Sequence, residues 1–155
     1  TDDERYMRQA LDQAQRAAEM GEVPVGAVIV AGGRTIARAH NLCERLHDFT
    51  AHAEMQAFTS ASEYLGGKFL DQCTLYVTLE PCPMCAGAAF WTRIGRVVYG
   101  AKDEKRGGLD FAGKRDEGLL HPRTELVGGV LESECAELLT TFFAKREKAE
   151  LPAPT

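Results

Sequence analysis

A β-rich run, a proline-flanked helix start and a second β-rich run follow one another between residues 74 and 100: TLYVTL (74–79), PCPMCAGAAFWT (81–92) and RVVYG (96–100). Pro81 ends the first run. Pro83 suits the first helical position after a cap at Cys82, because its fixed φ is already helical. Strand, helix and strand in so short a span commit the chain to an α/β architecture.

The flanking sequence extends this pattern. Met7, Ala10, Leu11, Ala14 and Ala18 recur at helical spacing, which predicts a helix over about residues 2–20 with Gly21 as its C-cap. VGAVIV (25–30) and TIARAH (35–40) are β-rich and joined by Ala31-Gly32-Gly33-Arg34, a hairpin signal that makes the sheet mixed. NLCERLHDF (41–49) reads as irregular, and a second helix runs from about Ala51 to Leu65, stopped by Gly66-Gly67. Residues 101–118 form a loop rich in glycine and charge, of a length usually tied to function in a compact domain. TELVGGVL (124–131) supplies a fifth strand, and residues 132–148 a final helix with Leu138, Leu139, Phe142 and Phe143 on its apolar face. The expected fold is a three-layer α/β/α sandwich around a mixed five-stranded sheet. It forms one domain over residues 1–150, with a disordered tail at 151–155.

With 155 residues, 45% of them apolar, the chain can bury one full core. It contains no apolar run of 18 residues and its first residues, TDDERYMRQ, are charged. Neither a membrane span nor a secretion signal is therefore expected, and the cytoplasm is the expected location. The net charge of −5 excludes a generally basic surface. Its distribution is uneven: residues 93–123 hold eight Lys/Arg against five acids, while residues 1–30 hold three against six. Lys102, Lys105, Arg106, Lys114 and Arg115 belong to that basic run, which reads either as a solvated loop or as a local patch for phosphates.

Of the five cysteines, Cys82 opens a helix and Cys85 lies one turn further on, where the helix N-terminus favours thiolate. Two such thiolates suit zinc. Cys43, Cys73 and Cys135 are too scattered to form a second close pair and read as small hydrophobes. The third ligand is sought in TAHAEMQAF (50–58), where His52 precedes Glu54 at a helix start. His40, His47 and His121 read as ordinary surface or core residues. Three protein ligands with one open position describe a catalytic zinc site. Glu54 would then take and return a water's proton, provided it lies near the metal without binding it. Residues two apart point in nearly opposite directions on a regular helix, so His52 must occupy a frayed first turn. Glu80 reads as a supporting or backbone-capping acid. A reversible redox pair at Cys82 and Cys85, or a zinc-stabilised RNA-binding module without catalysis, are the competing readings.

With HAE at 52–54 and PCPMC at 81–85, the chain resembles the zinc-dependent cytidine/deoxycytidylate deaminase superfamily. Within it the chain is most similar to the bacterial tRNA-specific adenosine deaminases. The similarity covers VPVGAVIV (23–30), Asn41, HDFTAHAE (47–54), TLEPCPMCAGA (78–88), RIGRVVYGAKD (93–103) and GVLESECAELLTTFFAKR (129–146). The resemblance implies that His52, Cys82 and Cys85 hold one zinc ion per chain and that Glu54 is the proton shuttle. It implies that Asn41 hydrogen-bonds the target base, while Val25 and the backbone at Ala53 line its pocket. The expected reaction is hydrolytic conversion of adenosine to inosine at the wobble position of a tRNA anticodon, by a homodimer. Lys102, Lys105 and Arg106 are then the expected phosphate contacts. AAFWTR (88–93) also resembles the free-base guanine deaminases, so guanine or another small nucleobase or nucleoside is the alternative substrate.

Overall fold

The hydroxyl of Thr1 accepts the backbone N–H of Glu4 at 3.2 Å, and Asp2, Asp3 and Glu4 place negative charge at the positive end of the first helix. This α1 (Asp2–Glu19) turns Tyr6, Met7, Ala10, Ala14 and Ala17 inward. Its small residues let it lie very close to the sheet: a Cβ at Gly26 would collide with the backbone of Ala10 and Ala14. The structure, a computed structural model, describes residues 1–109 and 119–150. The later part of the predicted 101–118 loop, with Lys114 and Arg115, and the predicted tail at 151–155 lie outside the described residues.

β1 (Gly26–Ala31) and β2 (Arg34–His40) form the expected hairpin. Gly32 and Gly33 have φ of 57° and 74°, a two-residue turn that glycine enters without strain. The register slips between Ile29 and Val30, which face Ala37 and Thr35, so Ile36 forms a bulge. There follow α2 (Cys43–Leu46), α3 (Ala53–Leu65), β3 (Cys73–Leu79), α4 (Pro83–Thr92), β4 (Arg96–Ala101), β5 (Glu125–Val127) and α5 (Glu132–Glu150). The strand order is β2-β1-β3-β4-β5. β1 is antiparallel to both neighbours, and β4 is parallel to both of its own. The unit β3-α4-β4 is thus a parallel crossover, as its sequence pattern requires.

Period-two alternation divides the strands between two cores. Ala27, Ile29, Leu75, Val77 and Val97 pack with Ala57 and Phe58 of α3 and Ala86 and Ala89 of α4. Val28, Val30, Tyr76 and Val98 pack with Tyr6, Met7 and Ala10 of α1 and Cys135 of α5. This is the expected three-layer sandwich, and it sets both halves of the metal-type motif on the same face of the sheet.

Several boundaries differ from expectation. The 41–49 stretch is not wholly irregular, since Cys43–Leu46 form a helical turn. α3 begins at Ala53 rather than Ala51. β5 stops at Val127 because the backbone of Gly128 lies against the Tyr99 ring, and Gly129 and Leu131 then take φ of 84° and 52° to turn the chain into α5. Phe143 is exposed, although Leu139 joins the core as expected. Trp91, at the end of α4, is 77% exposed.

Candidate active site

His52 and Cys82 occupy equivalent places. Each is the N-cap of its helix, with extended backbone (φ −70° for both), and neither side chain is spent on a capping hydrogen bond. Cys85 follows in the first turn of α4 and is buried. His52 Nδ1 lies 3.6 Å from Cys82 Sγ and 3.5 Å from Cys85 Sγ. Tetrahedral zinc with ordinary Zn–S and Zn–N bonds holds its nitrogen and sulfur ligands about 3.6 Å apart. The three donor atoms therefore already have the spacing of a zinc site, and they are the metal-type cluster found among the described residues.

The electrostatics suit a cation. The Cys82 thiol is pulled down to about 4, chiefly by the hydrogen bond from Cys85 and further by His52. Cys85 is pushed above the usual thiol range by donating to Cys82 and by burial. His52 is raised, first by its hydrogen bond with Cys82. Cys43, Cys73 and Cys135 are all raised with burial as the leading cause, which fits the inert role expected of them.

The problem of two residues two apart is solved by the helix boundary. His52 lies outside α3 and Glu54 is its second residue, so their directions are independent. Glu54 is buried, and burial pushes its carboxyl up to about 7. Its Oε1 has no hydrogen-bond partner. A buried carboxylate oxygen left unsatisfied is costly, and such atoms concentrate where chemistry is done. Beside three metal-type donors, this orphaned oxygen is the feature expected of a proton-transfer group.

The residues expected to read the base also converge. Asn41 N–H donates to the Val25 carbonyl at 3.2 Å, and Asn41 Oδ1 accepts the Ala53 N–H at 2.8 Å. Lys102, Lys105 and Arg106 are exposed on the loop after β4. Glu80 is buried and its Oε1 accepts the Asp103 N–H at 3.2 Å, the capping role read from sequence.

The MafB19-like deaminase family matches this chain over residues 1–146. The chain belongs to this deaminase family. A tRNA-specific adenosine deaminase of Bacillus subtilis (strain 168) is 48% identical over 155 residues, covering 99% of this chain and 96% of that one. A structure solved in a study of A-to-I editing by tRNA:A34 deaminases at the wobble position of transfer RNA shares 45% identity with a TM-score of 0.81. That match covers 87% of this chain and 99% of the other. The guanine deaminase structure from Bacillus subtilis is less similar, at 36% identity and TM-score 0.61, covering 76% of this chain and 70% of that one.

Sequence reasoning missed one acid of this deaminase's site region. Glu22 is fully buried, and its two carboxylate oxygens accept the N–H groups of Glu44 and Arg45 at 2.9 and 2.8 Å. It caps α2 across the fold and thereby holds the segment that carries Asn41. The available signal was an acid set in the otherwise apolar run between Gly21 and β1.

Proposed function

We propose that this deaminase is a zinc-dependent hydrolase that converts adenosine to inosine at the wobble position of tRNA. It works in the cytoplasm as a homodimer with one zinc ion per chain. The observation that carries the chemistry is the buried, unpartnered Glu54 Oε1 beside His52, Cys82 and Cys85. The identity shared with relatives named for tRNA adenosine supports the substrate.

His52, Cys82 and Cys85 would hold zinc, which when bound supplies the charge that makes water nucleophilic near neutral pH. Glu54 accepts the proton of the attacking water at Oε1 and delivers it to N1 of adenine. Once the bond from oxygen to C6 has formed, Glu54 takes the second proton from the new C6 hydroxyl and passes it to the amine. The bond from C6 to nitrogen then breaks, ammonia leaves and C6 is left as the carbonyl of inosine. Burial raises the Glu54 carboxyl above the usual glutamate range, the direction that suits a group which must both take up and release a proton. Asn41 spends its oxygen on Ala53, and its amide nitrogen is left to read the edge of a base turned out of the anticodon loop. Val25, bonded through its carbonyl to the Asn41 N–H, and Ala53, bonded through its N–H to the Asn41 side chain, line that pocket. Lys102, Lys105 and Arg106 contact the phosphates beside it. No helix among the described residues is long and apolar enough to cross a membrane.

The test is mass spectrometry after incubating zinc-loaded protein with mixed tRNA and, separately, with free guanine, adenine and cytosine. Inosine at the wobble position, lost in Glu54→Gln, is expected. Xanthine from guanine with untouched tRNA would overturn the substrate and favour the guanine deaminase reading.

A further inference from the structure

We infer that Glu80 is a positioning residue that locks the loop carrying Lys105 and Arg106 onto the first turn of the metal helix. The inference rests on the tRNA reading for its functional consequence. Its structural basis lies in the packing of residues 101–109 against residues 80–83.

Glu80 leaves β3 with its N–H bonded to the Ala101 carbonyl at 2.8 Å, and its side chain is 2% exposed. The carboxylate turns toward the neighbouring loop, where Oε1 accepts the Asp103 N–H. Asp103 passes the order outward: its Oδ1 accepts the N–H groups of Lys105 and Arg106 at 3.1 and 3.0 Å, and its carbonyl accepts that of Gly107 at 2.9 Å. The loop then closes onto the metal helix. Gly108 N–H donates to the Pro81 carbonyl at 2.6 Å. A Cβ at Gly107 would strike Glu80 Oε2, and one at Gly108 would meet the Cys82 carbonyl oxygen at 2.6 Å. Leu109 is buried in the core shared by α3 and α4.

A buried carboxylate, two glycines without room for a side chain and a buried leucine thus fasten the loop at successive points. Backbone positions of Lys105 and Arg106 are set relative to Cys82 through the chain Glu80–Asp103. Phosphate-contacting cations and the metal centre form one rigid unit, so binding RNA at the loop places the base without a further ordering cost.

Two measurements test this on the zinc-loaded protein. The first needs no RNA: trypsin cleavage after Lys105 and Arg106, mapped by mass spectrometry, is expected to be slow in the wild type. It should be clearly faster in Glu80→Ala, with Glu80→Gln between them because its retained oxygen still accepts from Asp103. Zinc content should be the same in all three. The second is binding and turnover of tRNA. Glu80→Ala should raise KM roughly tenfold and by more than it lowers kcat, and the slope of log Kd against log salt should become shallower by about 1 to 2. A merely structural defect would lower the active fraction without moving that slope. Gly107→Ala, which presses on the same contact from the other side, should show the same pattern, and the double variant should cost no more than the worse single one.

Unchanged trypsin cleavage in Glu80→Ala would overturn the lock while leaving the tRNA reading intact. So would loss of zinc, which would place Glu80's effect at the metal. If the wild type binds no tRNA although the loop opens as expected, the tRNA reading falls and takes the positioning role with it.

Discussion

Asn41 Oδ1 accepts the backbone N–H of Ala53 at 2.8 Å, so the end of β2 caps the helix whose N-cap is His52. The bond caps α3, and under the proposed function Asn41 also reads the base; two substitutions separate these roles. Asn41→Ala should cost about 1–2 kcal/mol in thermal or denaturant unfolding, the loss of a helix cap. Asn41→Asp keeps the accepting oxygen and should recover most of that stability. It lacks the amide donor for the base, so its KM for tRNA should stay high. Equal recovery of stability and KM would remove Asn41 from the pocket.

Glu54→Gln should show a large chemical effect together with an inverted pH signature. Glu54→Gln should lower kcat by about 10²–10⁴-fold at unchanged zinc content. Loss of zinc in that variant would make Glu54 a ligand instead. In the metal-free protein the sign of the stability effect follows from burial. The folded pKa, about 7, lies above the ordinary glutamate value, so the contribution is full below that value and is lost as pH rises through 7. Glu54→Gln should therefore raise the melting temperature of the metal-free protein more at pH 8 than at pH 5.

Gly26 is fixed by the approach of α1. A Cβ there has no room against the backbone of Ala10 and Ala14, and neither is the movable end of a flexible side chain. Gly26→Ala should destabilise the fold by about 1–3 kcal/mol, the usual range for overpacking. Chemical denaturation would show it, and a neutral result would mean that α1 slides without cost.

Asp3 joins α1 to the sheet. Arg96 donates to both its oxygens at 3.0 and 3.1 Å, and the Tyr76 hydroxyl donates to Oδ1 at 2.7 Å. The Arg96 hydrogen bond holds the Asp3 carboxyl below its usual range against the opposing pull of burial. Its stabilisation is present above the ordinary aspartate value and is lost as pH falls through the lowered one. Asp3→Asn should cost about 1–2 kcal/mol at pH 7 and progressively less in acid. A constant difference across that range would assign the effect to packing.

The metal donors were legible in the sequence because each sits at a helix start marked by local chemistry, proline at 81 and 83 for Cys82 and the HAE triplet for His52. The hairpin was legible for a similar reason, since Gly32-Gly33 specifies its turn by itself. What was hidden depends on distant partners. Glu22 caps a helix that begins 21 positions later, and no local pattern announces that pairing. The early end of β5 comes from the close approach of Gly128 to Tyr99 on the neighbouring strand. α4 carries apolar residues around most of its circumference, so its sequence does not say which side faces outward.

That outward side leads to the last expectation. Trp91 is 77% exposed, and Phe69 is brought beside the end of α4 by the Leu70 N–H, which donates to the Thr92 carbonyl at 2.8 Å. Phe69, Tyr64 and Leu65 are exposed as well, from the end of α3 and the turn after it. Large exposed aromatics such as Trp91 and Phe69 are the groups that carry much of the binding energy where proteins meet. Trp91→Glu should leave the unfolding of the isolated chain nearly unchanged, because the side chain packs on little within it. It should weaken self-association by at least about 2 kcal/mol, roughly thirtyfold in Kd. Sedimentation equilibrium of the two proteins decides the matter. A dimer that tolerates the charge uses another face, and a wild type that sediments as a monomer removes the homodimer altogether.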